Sequence, residues 1–380
     1  MTRTAIFTLI LILLFYSFGF SNNYLTQTQI DQAEEITPFG EIEDENIIIM
    51  PGEIPKEILL LQENAFLWGR IGIKLLGESR DNGWHIRILN EQNDRVLDLS
   101  PKEIHGEYFT PPIQENKIRI SVPPNGEKIQ IFAIARGGFD LSVKVTIGTP
   151  NIRKFLSNQN DMRLQSISKG IVLFVYQDGK KMKGCNGFLA SMRFVVTNFH
   201  CGGDKSAFEQ SFNPRIYLDF ISEKDWGQEV LISDIKTSED LDLSILRLKT
   251  SPPDEYEDNI FKFSKKDPSP NDDLIIVQHY RPQLWGKRIS DDNDCEVKNI
   301  PVVGRNFVDK VDFEHGCDTE KGTSGAPVLS RETLSVVGLH HWHPVPNLWE
   351  YNKAIRIEEI FSFCQKTENQ KWCSNWTWID

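Results

Sequence analysis

From about Ile47 the chain alternates apolar with polar residues in short bursts: Phe66–Ile73, Trp84–Leu89, Lys117–Val122 and Lys128–Ile134. Turn-forming clusters separate them, at Asp81-Asn82-Gly83, Asn90 to Asp94 and Pro123-Pro124-Asn125-Gly126. Alternation of period two between such turns predicts antiparallel strands with one buried face. Residues 47–150 therefore read as a β-sandwich, and 22–46, polar and acidic without sustained period, as a mobile acidic spacer. Residues 151–166 read as a linker or short helix. Short strands resume at Ile171–Tyr176, Phe188–Ala190, Phe194–Thr197, Ile216–Phe220, Leu243–Leu248, Leu274–Gln278, Ala326–Leu329 and Leu334–Leu339. About 200 residues of short β elements with long loops suit two small barrels. Over Asn352–Phe361 the period changes. Ala354, Ile357, Ile360 and Phe361 form one stripe, which predicts a closing helix. A Trp-rich tail, 366–380, follows.

The N-terminus departs from this pattern. Ala5–Phe20 is a largely apolar block after a short, weakly basic start, and Ser21-Asn22-Asn23 turns polar. It reads as a secretory leader of about residues 1–21, which places the protein outside the cytoplasm, secreted or periplasmic. Left uncleaved, it would be a membrane anchor, although it falls short of the ~20 residues a span needs. Composition agrees with a folded protein: 39% hydrophobic, 25% charged, with 23 Phe and 9 Trp. The net charge of −12 argues against a surface built for nucleic-acid phosphates. The six cysteines (Cys185, Cys201, Cys295, Cys317, Cys364 and Cys373) are an even set behind a leader, and predict three disulfides.

Chemistry concentrates between 167 and 365. Val195–Cys201 is a strand running into His200 and Cys201. Asp242–Leu248 is an acid opening an alternating strand. Gly322-Thr323-Ser324-Gly325-Ala326-Pro327 holds a serine in a glycine-rich turn. Together they supply a base, an acid and a hydroxyl, in the order His200, Asp242, Ser324. A serine hydroxyl needs a base to take its proton as it attacks. Imidazole does this near neutral pH, and a buried carboxylate fixes its tautomer. Gly322 and Gly325 let the backbone turn so that the amides of Gly322 and Ser324 converge as an oxyanion hole. Asp240 competes with Asp242 for the acid, since both precede a leucine. His85 and His105 stand among ordinary neighbours and read as surface or structural residues.

These three motifs resemble those of the chymotrypsin-like (trypsin-like) serine proteases over about residues 167–365. The resemblance implies an all-β fold, a double β-barrel with a C-terminal helix, here preceded by the β-sandwich. It also implies a disulfide between Cys185, in a Cys-x-Gly-x-Leu-like strand, and Cys201; Cys295–Cys317 and Cys364–Cys373 are then the natural remaining pairs. Cys317–Gly325, Val337–His341 and Asn352–Ile357 resemble the secreted bacterial branch with glutamyl and lysyl endopeptidases, and 47–148, more faintly, the β domain preceding the protease in some of them.

The residue before Ser324 is Thr323, where trypsin carries the acid that receives a freed N-terminus, so Gly170-Ile171-Val172 is not expected to be an activation site. Asp318 stands where trypsin has its pocket acid. Thr319 and His340 match the pocket of glutamyl endopeptidases, but His341-Trp342-His343-Pro344 replaces the glycines expected after that histidine. Preference for acidic, basic or other side chains stays open. His340, His341 and His343 invite a metal reading, but no Cys or carboxylate stands at ligand spacing, and His341 and His343 share a strand face from which His340 points away. No metal or cofactor is expected. Asn375-Trp376-Thr377 is a glycosylation sequon, meaningful only in a eukaryotic secretory pathway. The expected function is a secreted serine endopeptidase, acting on protein or peptide substrates through an acyl-enzyme, with neither nucleic acid nor stable membrane insertion. The alternative is a catalytically silent protease-fold binding protein that acts through its β domain, whose ligand the sequence does not name.

Overall fold

The computed structural model describes residues 37–61, 68–77, 83–104, 107–111, 113–137, 153–154, 162–178, 181–201, 214–221, 226–280, 286–304, 308–320, 322–344 and 349–380. The first strands are β1 (Thr37–Ile49), β2 (Lys56–Leu59), β3 (Trp68–Leu75), β4 (Ile86–Leu89), β5 (Arg95–Leu99), β6 (Glu107–Phe109), β7 (Lys117–Ser121) and β8 (Ile129–Gly137). One layer orders β1-β8-β3-β6 and the other β2-β7-β4-β5. The period-two pattern places the core. In β7, Ile118 and Ile120 are buried between partly exposed Lys117, Arg119 and Ser121. Ile71, Ile73, Ile86, Ile88, Ile118 and Ile131 meet between the layers, and burial of one such side chain contributes about 2 kcal/mol.

Next come β9 (Arg153–Lys154), α1 (Met162–Ser168), β10 (Ile171–Asp178), β11 (Lys181–Ser191), β12 (Phe194–Asn198), β13 (Arg215–Leu218), β14 (Gln228–Ser238) and β15 (Leu243–Leu248). Strands β10-β13-β14-β15-β12-β11 follow one another, and β11 pairs back onto β10, closing a barrel. Closure removes the exposed edges that an open sheet would present. The second barrel uses β16 (Lys262–Ser264), β17 (Leu274–Tyr280), β18 (Gly286–Ser290), β19 (Val297–Val302), β20 (Asp312–His315), β21 (Pro327–Ser330), β22 (Val336–Trp342) and β23 (Asn352–Arg356). Its order is β19-β20-β23-β22-β21-β17-β18. Leu274 N–H donates to Cys295 O and Val297 N–H to Asp272 O, joining the β17 and β19 ends. The chain finishes with α2 (Ile357–Gln365), α3 (Gln370–Cys373) and β24 (Thr377–Ile379). The expected all-β class is the one observed: a chymotrypsin-like double barrel with a C-terminal helix, behind an antiparallel sandwich.

Both faces of β10 are covered, which explains its unbroken apolar run. Val172 and Phe174 enter the barrel core, while Leu173 and Val175 meet Phe109, Ala133 and Ala135 of the sandwich. A second core joins the barrels, with Phe188, Val196 and Ile245 from the first against Val277, Leu339 and Ile355 from the second.

Three readings of the sequence need correction. From Thr37 the acidic stretch is strand rather than spacer, since β1 pairs with β11 on one side and β8 on the other. Backbone bonds on both edges hold it without a strong apolar period. Asn352–Arg356 is strand, paired with β20 and β22, so the helix begins only at Ile357. Buried partners on both sides override the helical stripe there. The Trp-rich tail, read as lying beyond the 167–365 unit, belongs to it: Trp372 and Trp376 are buried in the inter-barrel core, and β24 pairs with β16. Within the stretch read as a linker or short helix, Arg153–Lys154 pairs with β18 and a short helix, α1, begins at Met162. The leader, the spacer before Thr37 and His105 lie outside the described residues. Among the described residues no helix is long and apolar enough to cross a membrane.

Candidate active site

Three local structures deliver the side chains. His200 follows β12 in a tight turn that Cys185–Cys201 ties back to β11. Asp242 follows the β14 turn with φ +51, a left-handed conformation that Asp and Asn tolerate better than most residues. Its carbonyl accepts from Phe199 N–H (3.0 Å) and Asn198 Nδ2 (3.1 Å), which fixes the two turns against each other. Ser324 sits between Gly322 (φ +100) and Gly325 (φ +86). A Cβ on Gly325 would lie 2.0 Å from Asn186 O, so only glycine fits there.

The structure brings His200, Asp242 and Ser324 together across the barrel interface. His200 Nε2 lies 2.9 Å from Ser324 Oγ, and His200 Nδ1 lies 2.7 Å from Asp242 Oδ2. His200 N–H donates to Asp242 Oδ1 at 2.9 Å. Asp242 and Ser324 are fully buried. Asp240 is exposed in the preceding turn and is not the residue at His200. Chemically, the arrangement is a hydroxyl beside an imidazole whose far nitrogen is held by a carboxylate.

The sequence reading gave no role to Asn186, which organises the serine loop. Its N–H donates to Ser324 O (2.7 Å), and its Nδ2 donates to Gly322 O (2.6 Å) and His279 O (2.8 Å). Its carbonyl oxygen accepts from Thr197 Oγ1 at 2.7 Å. Its place in the Gly184-Cys185-Asn186-Gly187 run was the only available signal. His279 nearby is fully buried; burial and then Lys287 hold its pKa down to about 3, so it stays neutral.

The pocket candidates are also buried. Asp318 O accepts from Gln278 Nε2 at 3.0 Å, Thr319 Oγ1 donates to Asn352 Oδ1 at 2.9 Å, and His340 Nδ1 lies 3.0 Å from His315 Nε2. Burial, with neighbouring histidines, holds His315 and His340 well below the ordinary imidazole pKa. His341 points the other way, to Asp242 and Asp312. Thr323 Oγ1 donates to Gln278 Oε1. His85 is exposed, on the sandwich side of the chain just before β4.

All six cysteines are bonded, as Cys185–Cys201, Cys295–Cys317 and Cys364–Cys373. Cys185, His200 and Cys201 come within 4.8 Å of one another, but the disulfide leaves no thiolate there to ligate a metal.

Residues 185–339 match the family model of the trypsin-like peptidase domain. No curated protein sequence matches the chain. Among solved structures the chain is similar to a Glu endopeptidase in complex with MPD (14% identity, TM-score 0.44, 60% of this chain and 100% of that one). It is also similar to the active form of the Rv3671c protease from M. tuberculosis (16%, TM-score 0.42, 60% and 94%). A third is the scabies mite inactivated protease paralogue S-I1 (17%, TM-score 0.43, 54% and 96%). Residues 185–339 thus resemble a trypsin-like peptidase domain, and His200, Asp242 and Ser324 fall within that match, in that order along the sequence.

Proposed function

We propose that the chain is a secreted serine endopeptidase. The observation that carries this reading is the pair of contacts at His200, 2.9 Å to Ser324 Oγ and 2.7 Å to Asp242. His200 takes the Ser324 proton as Oγ attacks the scissile carbonyl, and Asp242 stabilises the imidazolium that forms. The tetrahedral oxyanion is held by the N–H groups of Gly322 and Ser324, each donor being worth about 3 kcal/mol of barrier. His200 then passes its proton to the leaving amine, and the acyl group remains on Ser324 until water, deprotonated by His200, releases it.

Asp318, Thr319 and His340 are the proposed pocket residues. Thr323 presents a hydroxyl rather than a carboxylate, so no freed ammonium at Ile171 is needed for activity. In this reading 1–21 is the leader, the two barrels with the C-terminal helix and the buried tail are the protease unit, and the sandwich of β1 to β8 is its accessory domain. Secretion draws support from the apolar N-terminal block and the disulfides. Substrates are protein or peptide chains.

Incubation of the full chain with an internally quenched peptide library tests this. Cleavage by wild type that Ser324→Ala abolishes is expected, and the cut sites read the pocket preference. The second reading, a binding protein of protease shape, is favoured by one observation: Ser324 has no exposed surface. Equal background in wild type and Ser324→Ala would support it.

A further inference from the structure

Behind Asp242 lies a side chain the three-residue scheme does not use. His341, on β22, is 1% exposed. Its Nδ1 lies 3.1 Å from Asp242 Oδ2, and its Nε2 lies 2.9 Å from Asp312 Oδ2 on β20. Both ring nitrogens therefore face carboxylate oxygens. A neutral imidazole has one N–H and one lone pair, and the lone pair would oppose a carboxylate. Only the imidazolium donates to both.

The surroundings agree. Burial by itself disfavours the charge, but Asp312 and Asp242 outweigh it and lift the His341 pKa to about 9. The other ionisable groups packed round the bridge are His200, His315, His340 and Lys353. Burial keeps His315 and His340 neutral. Lys353 Nζ donates to Val303 O at 2.6 Å rather than to Asp312. Among the described residues Asp312 Oδ1 has no hydrogen-bond partner, so His341 Nε2 is the group that meets this carboxylate directly, with the Lys353 charge attracting it from farther off.

We propose that His341 is a positioning residue, an imidazolium clamped between Asp242 and Asp312 that fixes the Asp242 carboxylate behind His200. The hydrogen-bonded chain then runs Ser324, His200, Asp242, His341, Asp312, five side chains drawn from both barrels. This rests on the reading of Ser324 and His200 as nucleophile and base. The last three groups carry one net negative charge. That is what Asp242 alone would carry, but it is spread over a rigid bridge. Removing Asp312 would leave His341 and Asp242 a neutral pair, and the imidazolium of His200 would lose part of its stabilisation.

The test uses the full chain in two measurements. The first is the 15N-detected histidine spectrum of Ser324→Ala protein, with His341→Gln to assign the signal. Two protonated ring nitrogens on His341 at pH 7.5 are expected, and a single N–H would overturn the bridge whatever the enzyme does. The second is the rate of fluorophosphonate labelling against pH for wild type, Asp312→Asn, His341→Gln and the double variant. For Asp312→Asn a roughly tenfold slower rate and an acid limb displaced to lower pH are expected. The double variant, free of the buried bridge charges, should label faster than His341→Gln alone. An unshifted limb in folded Asp312→Asn would reduce His341 to a structural residue and overturn the proposal. No labelling of folded wild type would instead sink the hydrolytic reading, and the positioning role with it. The nitrogen spectrum would still decide whether the bridge exists.

Discussion

Asp242 is the residue on which the site converges. Its carbonyl ties down Phe199 and Asn198, one carboxylate oxygen accepts from His200 N–H, and the other meets His200 Nδ1 and His341 Nδ1. Asn can take the same backbone conformation, so Asp242→Asn should fold yet lose roughly 10³–10⁴-fold in turnover. Ser324→Ala and His200→Ala should lose more, up to about 10⁶-fold, with their double variant little worse, because the group acts as a unit. Asp240→Asn should match wild type, and steady-state kinetics on one peptide reads all of these. Ser324, His200 and Asp242 were legible because each lies in a short local motif. The partners of His341 were not, since Asp242 and Asp312 lie 99 and 29 positions away and only the fold brings them near. The histidines also set a pH window. His279, His315 and His340 are buried and neutral, so the unfolded state gains up to three protons as pH falls below about 6.5. Stability should fall there by up to about 4 kcal/mol per pH unit. His341 works in the opposite sense. Its folded pKa of about 9 lies above the unfolded value of 6.5, so its contribution is complete below pH 6.5 and lost as pH rises through 9. Denaturant midpoints against pH should peak near neutrality, and His341→Gln should flatten the alkaline side.

Strands with one covered face show alternation, and strands covered on both faces, such as β10, show an unbroken apolar run. β23 reads as helical because Ala354 falls in one stripe with Ile357, Ile360 and Phe361, and β14 gives no strand signal because its pattern is mostly half-exposed. In both cases the neighbouring strands, not the local pattern, decide the outcome. Cys185–Cys201 is the element-level device at the site. It closes a loop of sequence separation 16 and holds the His200 turn on β11. Such a loop contributes ~3 kcal/mol, largely through the unfolded chain. A loosened turn also lets the imidazole drift, and about 1 Å can cost ~100-fold in rate. Cys185→Ala with Cys201→Ala should therefore lower both the melting temperature and turnover. A drop in melting temperature with turnover retained would confine the bond to stability.

At the scale of the molecule, β1 makes the sandwich and the first barrel one continuous sheet. The sequence suggested a spacer here because β1 is acidic, and nothing local reveals that two distant strands claim its backbone. Buried charge reinforces the junction. Arg70 and Arg215 both approach Glu229, Arg70 Nε donates to Thr110 O, Arg215 also donates to Phe109 O, and Tyr217 donates to Glu229. Burial lowers the Arg215 pKa to about 9, with Arg70 adding to the effect. Arg70 and Tyr217 would still hold Glu229, but the bonds of Arg215 to Glu229 and Phe109 O would be lost from a buried junction, so Arg215→Ala should cost on the order of 3 kcal/mol. Differential scanning calorimetry should show the loss in a transition shared by both units. A loss confined to a separate sandwich transition would contradict the continuous sheet.

The central claim is that Ser324 is a nucleophile activated by His200. Intact-mass analysis of the folded full chain after exposure to a fluorophosphonate tests it most directly, followed by peptide mapping. One phosphonyl group per chain, mapped to Ser324 and missing from Ser324→Ala and His200→Ala, is the expected result. A folded wild-type chain that gains no mass, or gains it at another residue, would contradict the account.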